Sequence, residues 1–208
     1  PAPLSFVQPL AMFLTMKTLV ALFVVTLMSA VSAAAQTTPL FDGKSLSGWK
    51  VDGAAYWSVK DGVLIGQSDE QKRASTLWTE KTYTDFVYQT EFRFEGVTDS
   101  GVFLRHLDDQ IQIGTSGSLK RDMTGSPYIG SKRKYPVEAQ GVAALLKEGA
   151  WNTLRITAKG GLYTIELNGR QVLEYLSDTA IPSGPIGLQV HANLLMRIEY
   201  RNMTVTPL

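Results

Sequence analysis

The chain contains no cysteine in 208 residues and only two histidines, His106 and His191. The first absence removes disulfides, thiol catalysis and Cys-ligated zinc together. The second removes any metal site built on several imidazoles, leaving one or two His with carboxylates or amides. No GxSxG elbow, Walker loop, HExxH pair or EF-hand loop occurs, so no motif speaks for a nucleotide cofactor. Sustained 3.6-residue periodicity is lacking too, apart from a turn near Val142 to Lys147. No apolar run reaches the about 20 residues of a membrane-spanning helix. The strongest, Leu19 to Met28, follows Met16-Lys17 and precedes Ser29 to Ala35, which is rich in small residues. That is the pattern of a secretory signal peptide. We therefore expect an extension ahead of the true start over 1–15, a signal peptide over 16–35, and one domain over 36–208. The expected destination is export, to the periplasm or outside the cell, with no stable membrane span after cleavage. Lys17 is the one charged residue before Gln36; without it 19 basic residues face 19 acidic ones. A neutral domain does not attract nucleic acid or an anionic membrane by bulk charge.

What the chain does have is alternation. Tyr56 to Ile65 reads as a hairpin, because Asp61-Gly62 supplies the positive φ of a tight turn. Phe86 to Phe94 puts Phe86, Tyr88, Thr90, Phe92 and Phe94 on one face, and Val87, Gln89, Glu91 and Arg93 on the other. Ser100 to Ile113 reads as two strands around an acidic turn. Trp151 to Ala158, Leu162 to Leu167 and Gln171 to Tyr175 follow, with Asn168-Gly169 as a type I′ hairpin signal. Ile186 to Val190 and Leu195 to Val205 close the chain. Many short strands with Gly, Asn and Pro turns imply an all-β sandwich of antiparallel sheets. Trp57, Trp78 and Trp151 are expected in its core.

The second faces of these strands carry the candidate chemistry. Phe103 and Arg105 share a face, as do Gln110 and Gln112, Glu91 and Arg93, and Gln189 and His191. Planar hydrogen-bonding groups beside an aromatic suit a polyol, if the four strands are neighbours. The alternative is the ordinary solvation of half-buried sheets. A long irregular segment, Leu119 to Gln140, is locally basic and adds Lys120, Asp122 and Tyr128.

The motifs Leu40-Phe41-Asp42-Gly43-Lys44, Glu91-Phe92-Arg93, Ser100-Gly101-Val102-Phe103-Leu104-Arg105, Gln112-Ile113, Trp151-Asn152, Leu167-Asn168-Gly169 and Gly184-Pro185-Ile186-Gly187-Leu188-Gln189 with His191 resemble the 3-keto-disaccharide hydrolase domain family. They run in order across almost all of residues 36–208. The resemblance implies a concanavalin A-like jelly-roll sandwich and cleavage of glycosides oxidised at sugar carbon 3. A ketone at C3 acidifies the C2 proton, a base removes it, the aglycone leaves from C1, and water adds back. On this reading His191 is the base and Glu91 the acid or a metal ligand. Arg105, Gln112 and Gln189 hold or polarise the oxidised sugar. Arg, amides or a divalent metal cation would stabilise the enediolate.

The chain departs from the family at three positions. Many members have Glu at Gln110, Asp at Gly114 and Glu at Ala150. Lys120 and Asp122 are then candidate replacements, near Tyr128. The rival reading is a non-catalytic carbohydrate-binding domain on the same sandwich, since this fold hosts both.

Overall fold

The unbroken alternation of Phe86 to Phe94 becomes the strand on which the first sheet is centred. The computed structural model describes residues 1–3 and 36–208; the expected signal peptide, and the extension beyond residue 3, lie outside the described residues. Among the described residues there are fourteen strands: β1 Thr38–Pro39, β2 Trp49–Gly53, β3 Trp57–Lys60, β4 Val63–Gln67, β5 Ser75–Thr79, β6 Phe86–Phe94, β7 Asp99–Leu104, β8 Asp109–Gly114, β9 Pro127–Ile129, β10 Asn152–Lys159, β11 Leu162–Leu167, β12 Arg170–Leu176, β13 Ile186–Val190 and β14 Arg197–Pro207. No helix among these residues is long and apolar enough to cross a membrane.

Two antiparallel sheets result. The first runs β12-β11-β10-β6-β14-β4-β3, with β1 beside β14, and the second runs β2-β5-β13-β7-β8-β9. The hairpins expected at Asp61-Gly62 and Asn168-Gly169 form, with φ of 50° and 79° in one and 50° and 77° in the other. The core lies between the sheets. Phe86, Tyr88 and Phe92 of β6 meet Val102 and Leu104 of β7, Ile111 and Ile113 of β8, and Leu188 and Val190 of β13 in one buried cluster. Period-two alternation therefore leaves Gln89, Glu91 and Arg93 on the outer face of the first sheet. Gln110, Gln112 and Gln189 stand on the outer face of the second.

This corrects the expectation of one polar surface from four strands, because β6 belongs to the other sheet. Glu91 accepts a hydrogen bond from Arg201, and Arg93 donates from Nε to Glu199 at 2.8 Å. Trp151 is not in the core. The guanidinium groups of Arg93 and Arg201 lie over its ring, 4.7 Å and 4.1 Å from the centroid. Trp78 also faces outward and stacks on Phe103 at 5.5 Å, whereas Trp57 is buried as expected.

Arg105 is the second correction. Strand β7 ends at Leu104, and Arg105 takes a left-handed φ of 69°, which turns its side chain off the outer face. It is 2% exposed. Its Nε donates to the Thr84 carbonyl and its Nη1 to the Gly160 carbonyl, both at 2.7 Å, with the Asp85 carboxylate 3.4 Å from Nη2. Its own carbonyl lies where a Cβ on Gly184 would stand, at 1.9 Å, so Gly184 has to be glycine. Arg105 is a buried clamp, and a planar fork suits three fixed acceptors better than a point charge does. Arg105→Ala should lower stability by about 3 kcal/mol in urea unfolding, because buried acceptors lose their partner. Arg105→Lys should recover only part of that loss.

The tyrosines of the core also predict an alkaline limit. Burial pushes the phenols of Tyr88, Tyr163 and Tyr200 up, helped at Tyr163 by the hydrogen bond to Asp109. The Tyr88 hydroxyl has no hydrogen-bond partner among the described residues. An acid whose folded pKa is raised stabilises the fold fully below its unfolded value and loses that contribution above it. Stability should therefore fall as pH rises past about 10, by up to about 1.4 kcal/mol per pH unit for each such phenol. Denaturant midpoints between pH 8 and 11 check this.

Candidate functional site

Three adjacent interior strands of the second sheet, β13-β7-β8, build the site. On β7 the outward positions are Asp99, Gly101 and Phe103. Gly101 pairs with Gln112 of β8, and Phe103 with Gln110 and with Gly187 of β13. The Gln110 side chain crosses β7 and donates from Nε2 to Gln189 Oε1 at 2.7 Å. It passes directly over Gly101, where a Cβ would stand 2.3 Å from Gln110 Nε2. Gln112 donates from Nε2 to Asp99 Oδ1 at 2.8 Å, and the Gly117 amide donates to Asp99 Oδ2 at 2.7 Å. Neighbouring strands thus place a row of amides and one buried carboxylate on a single surface.

The irregular segment supplies the wall. β9 pairs with β8 and sets Tyr128 opposite Gln110. The rings of Tyr128 and Tyr135 lie 5.1 Å apart at 56°. Burial pushes the Tyr135 phenol up to about 12; Ser116 opposes this through a hydrogen bond, and the Asp99 and Tyr128 charges reinforce it. Tyr135 therefore keeps its proton at neutral pH. Two of the segment's five basic residues are engaged in surface pairs, Arg121 with Glu138 and Lys132 with Asp178.

His191 follows the last residue of β13 and closes the row. Its Nδ1 is 2.6 Å from the Ala192 carbonyl oxygen. A carbonyl only accepts, so Nδ1 carries the proton of the neutral ring and Nε2 is left as the basic nitrogen. These groups line a cleft of about 360 Å³ that also includes Ser116 and Ser118. That volume lies at the small end of ligand sites.

Of the residues expected from sequence, Gln110, Gln112, Tyr128, Gln189 and His191 come together here. Phe103 shares the face but is packed under Trp78. Lys120 lines an adjoining groove. Asp122 turns into its own loop, with Oδ1 accepting from Thr124 Oγ1 at 2.7 Å, and burial raises its pKa. Glu91, Arg93 and Arg105 are elsewhere, as described. Sequence reasoning missed Asp99, Ser116, Ser118 and Tyr135. Asp99 was within reach, being two residues before Gly101 on the same face.

The donor set does not fit a resident divalent cation. Among the described residues no group of three or more His, Cys, Asp or Glu is arranged to hold a metal. Asp99 is the one carboxylate among the residues lining the cleft, and both its oxygens already accept hydrogen bonds. Six or more oxygen ligands, often including several carboxylates, would be usual.

Residues 36–206 match a family described as the 3-keto-alpha-glucoside-1,2-lyase-like domain. The chain belongs to that family. A solved structure of a candidate glycosyl hydrolase from Parabacteroides distasonis ATCC 8503 is 26% identical, covering 83% of this chain and 100% of that one, at a TM-score of 0.66. The carbohydrate-binding module CBM66 from Bacillus subtilis shares the fold at 17% identity, with 76% and 95% coverage and a TM-score of 0.56. A Bacillus subtilis protein with a galectin-like fold does so at 17% identity, with 83% and 96% coverage and a TM-score of 0.53. No curated protein sequence matches the chain.

Within the lyase-like family the three departures now have different weights. Gly114 has a φ of 86°, and a Cβ there would lie 2.2 Å from the Thr98 carbonyl oxygen. An aspartate cannot be accommodated on this backbone. Ala150 precedes Trp151, on the far sheet, and does not touch the cleft. Gln110 is the departure that bears on the site, where an amide donates to Gln189 and a carboxylate would not. Gly101→Ala should drive Gln110 off Gln189, weaken sugar binding at least tenfold in calorimetry, and cost about 1–3 kcal/mol of stability from overpacking.

Proposed function

We propose that this protein is an exported carbohydrate-active enzyme that cleaves 3-keto-glycosides by elimination and hydration in the cleft of β13-β7-β8. Family membership supports the carbohydrate part of this reading. The observation that carries the catalytic part is His191, whose Nδ1–H is held by the Ala192 carbonyl so that Nε2 is presented as a base beside the amide row.

The residues divide the work as follows. His191 Nε2 takes the C2 proton, and the C–H electron pair moves into a C2–C3 double bond as negative charge gathers on the C3 oxygen. The side-chain amides of Gln110, Gln112 and Gln189 each carry a second N–H for that oxygen or for the neighbouring hydroxyls. The C3 carbonyl then re-forms, C1 and C2 become doubly bonded, and the C1–oxygen bond breaks. Tyr135, kept protonated by burial and by Asp99, gives its proton to the departing oxygen. Hydration reverses the roles. Water adds its oxygen to C1 while the Tyr135 phenolate takes its proton, and the His191 imidazolium returns the first proton to C2. Amides carry the enediolate in this scheme, with no metal ion required.

The second reading is a binding domain without turnover. The Gln110 departure favours it, because it leaves Asp99 as the one carboxylate among the lining residues. The test is release of a chromogenic aglycone from a 3-keto-glucoside. We expect release that survives a chelator and falls at least 100-fold in His191→Asn, the scale of a lost general base, with unchanged circular dichroism. No release from the parent protein, with sugar binding detected by calorimetry, would establish the binding domain instead. Loss of release on chelation would overturn the amide assignment.

A further inference from the structure

The amide-lined cleft continues past His191. Asp99, Ser116, Gly117 and His191 also line a second groove of about 270 Å³. The two compartments share those four residues and little else. The first is lined by three glutamines and two tyrosines. The second has Val97, Ala192 and Leu194 as its apolar wall, with Thr115, Lys120 and Asn193 around them.

That wall is held in place. Leu194 packs on the core, and its carbonyl accepts from Ser68 Oγ at 2.8 Å. Asn193 sits at a φ of 64° with its N–H bonded to the Lys72 carbonyl at 2.7 Å. Lys120 has a φ of 56° and is tied by its N–H to the Ser116 carbonyl at 2.8 Å, which holds the loop carrying its ammonium group beside the groove. Val97, by contrast, is 60% exposed, an uncovered branched apolar side chain at the junction.

We propose that the second groove is the leaving-group subsite and that it selects a flat apolar aglycone, an aryl group, over a second sugar. The proposal rests on the lyase reading above. A bond broken at C1 has the sugar on one side and the aglycone on the other, and C2, whose proton His191 takes, is the neighbour of C1, so His191 belongs where the two compartments meet, which is where it lies. The sugar fits the amide side. On the other side a second sugar would set some of its hydroxyls against Val97, Ala192 and Leu194, whose side chains cannot replace their hydrogen bonds to water. An aryl ring covers those side chains and gains from leaving water. Lys120 adds a cation near an oxygen that gathers negative charge as it departs.

The test uses 3-keto-glucosides whose aglycone is linked through carbon, which bind but do not eliminate. In calorimetry the phenyl compound should bind the parent protein at least tenfold tighter than the methyl compound, about 1.4 kcal/mol. The carbon-linked disaccharide should gain nothing over methyl. Val97→Asp and Leu194→Asn should each bring the phenyl-to-methyl ratio close to one, a ratio that cancels any loss of folded protein. A parent ratio below about two, or a ratio unmoved by both variants, overturns the subsite. A ratio that behaves as expected in a protein without turnover keeps the subsite and removes the lyase reading. Failure of every compound to bind removes both.

Discussion

The hydrogen bond from Gln110 to Gln189 spans a strand that holds neither residue, and Gly101 is what lets it pass. Most of the cleft follows from that crossing. It requires β8, β7 and β13 to be neighbours in this order. It also fixes the Gln110 amide, which leaves Gln112 free to hold Asp99, and Asp99 in turn anchors the loop that begins at Gly117. Ser118 and Lys120 ride on that loop. A polar site on an antiparallel sheet is usually an assortment of solvated side chains. Here successive hydrogen bonds make it a fixed surface, as a recognition site needs.

The two outer faces of the sandwich differ in how their polar groups are used. On the first sheet the charges satisfy one another: Glu199 lies between Arg93 and Arg197, and Glu91 pairs with Arg201. Burial would raise the Glu199 carboxyl, and the two arginines outweigh it and hold the group below its ordinary range. Trp151 is already occupied by two guanidinium groups. The second sheet instead offers uncharged amides and phenols with hydrogen-bonding capacity left over. That suits a neutral polyol, whose hydroxyls need donors and acceptors more than they need charge.

Local pattern carried much of this. Period-two alternation located β6, β7, β8 and β13 and sorted each into core and outer faces, and Asp-Gly and Asn-Gly marked hairpins that form. Gln110, Gln112, Gln189 and His191 were legible because each alternates with buried aliphatic residues. What alternation cannot carry is which strands are neighbours, since pairing joins residues far apart in sequence. Glu91 and Arg93 have the right parity on the wrong sheet. Arg105 has the right parity as well, but the strand stops one residue earlier and a left-handed φ turns the side chain inward. Tyr135 comes from an irregular segment with no period to read, and Trp151 and Trp78 look apolar enough for a core they do not enter.

The central claim is that the outer face of β13-β7-β8 receives the oxidised sugar. The most direct measurement is the side-chain amide resonances of the glutamines during titration with 3-keto-glucose. The account predicts shifts for Gln110, Gln112 and Gln189 and none for Gln89, on the outer face of the other sheet. Shifts at Gln89 with the three cleft glutamines unmoved would contradict it.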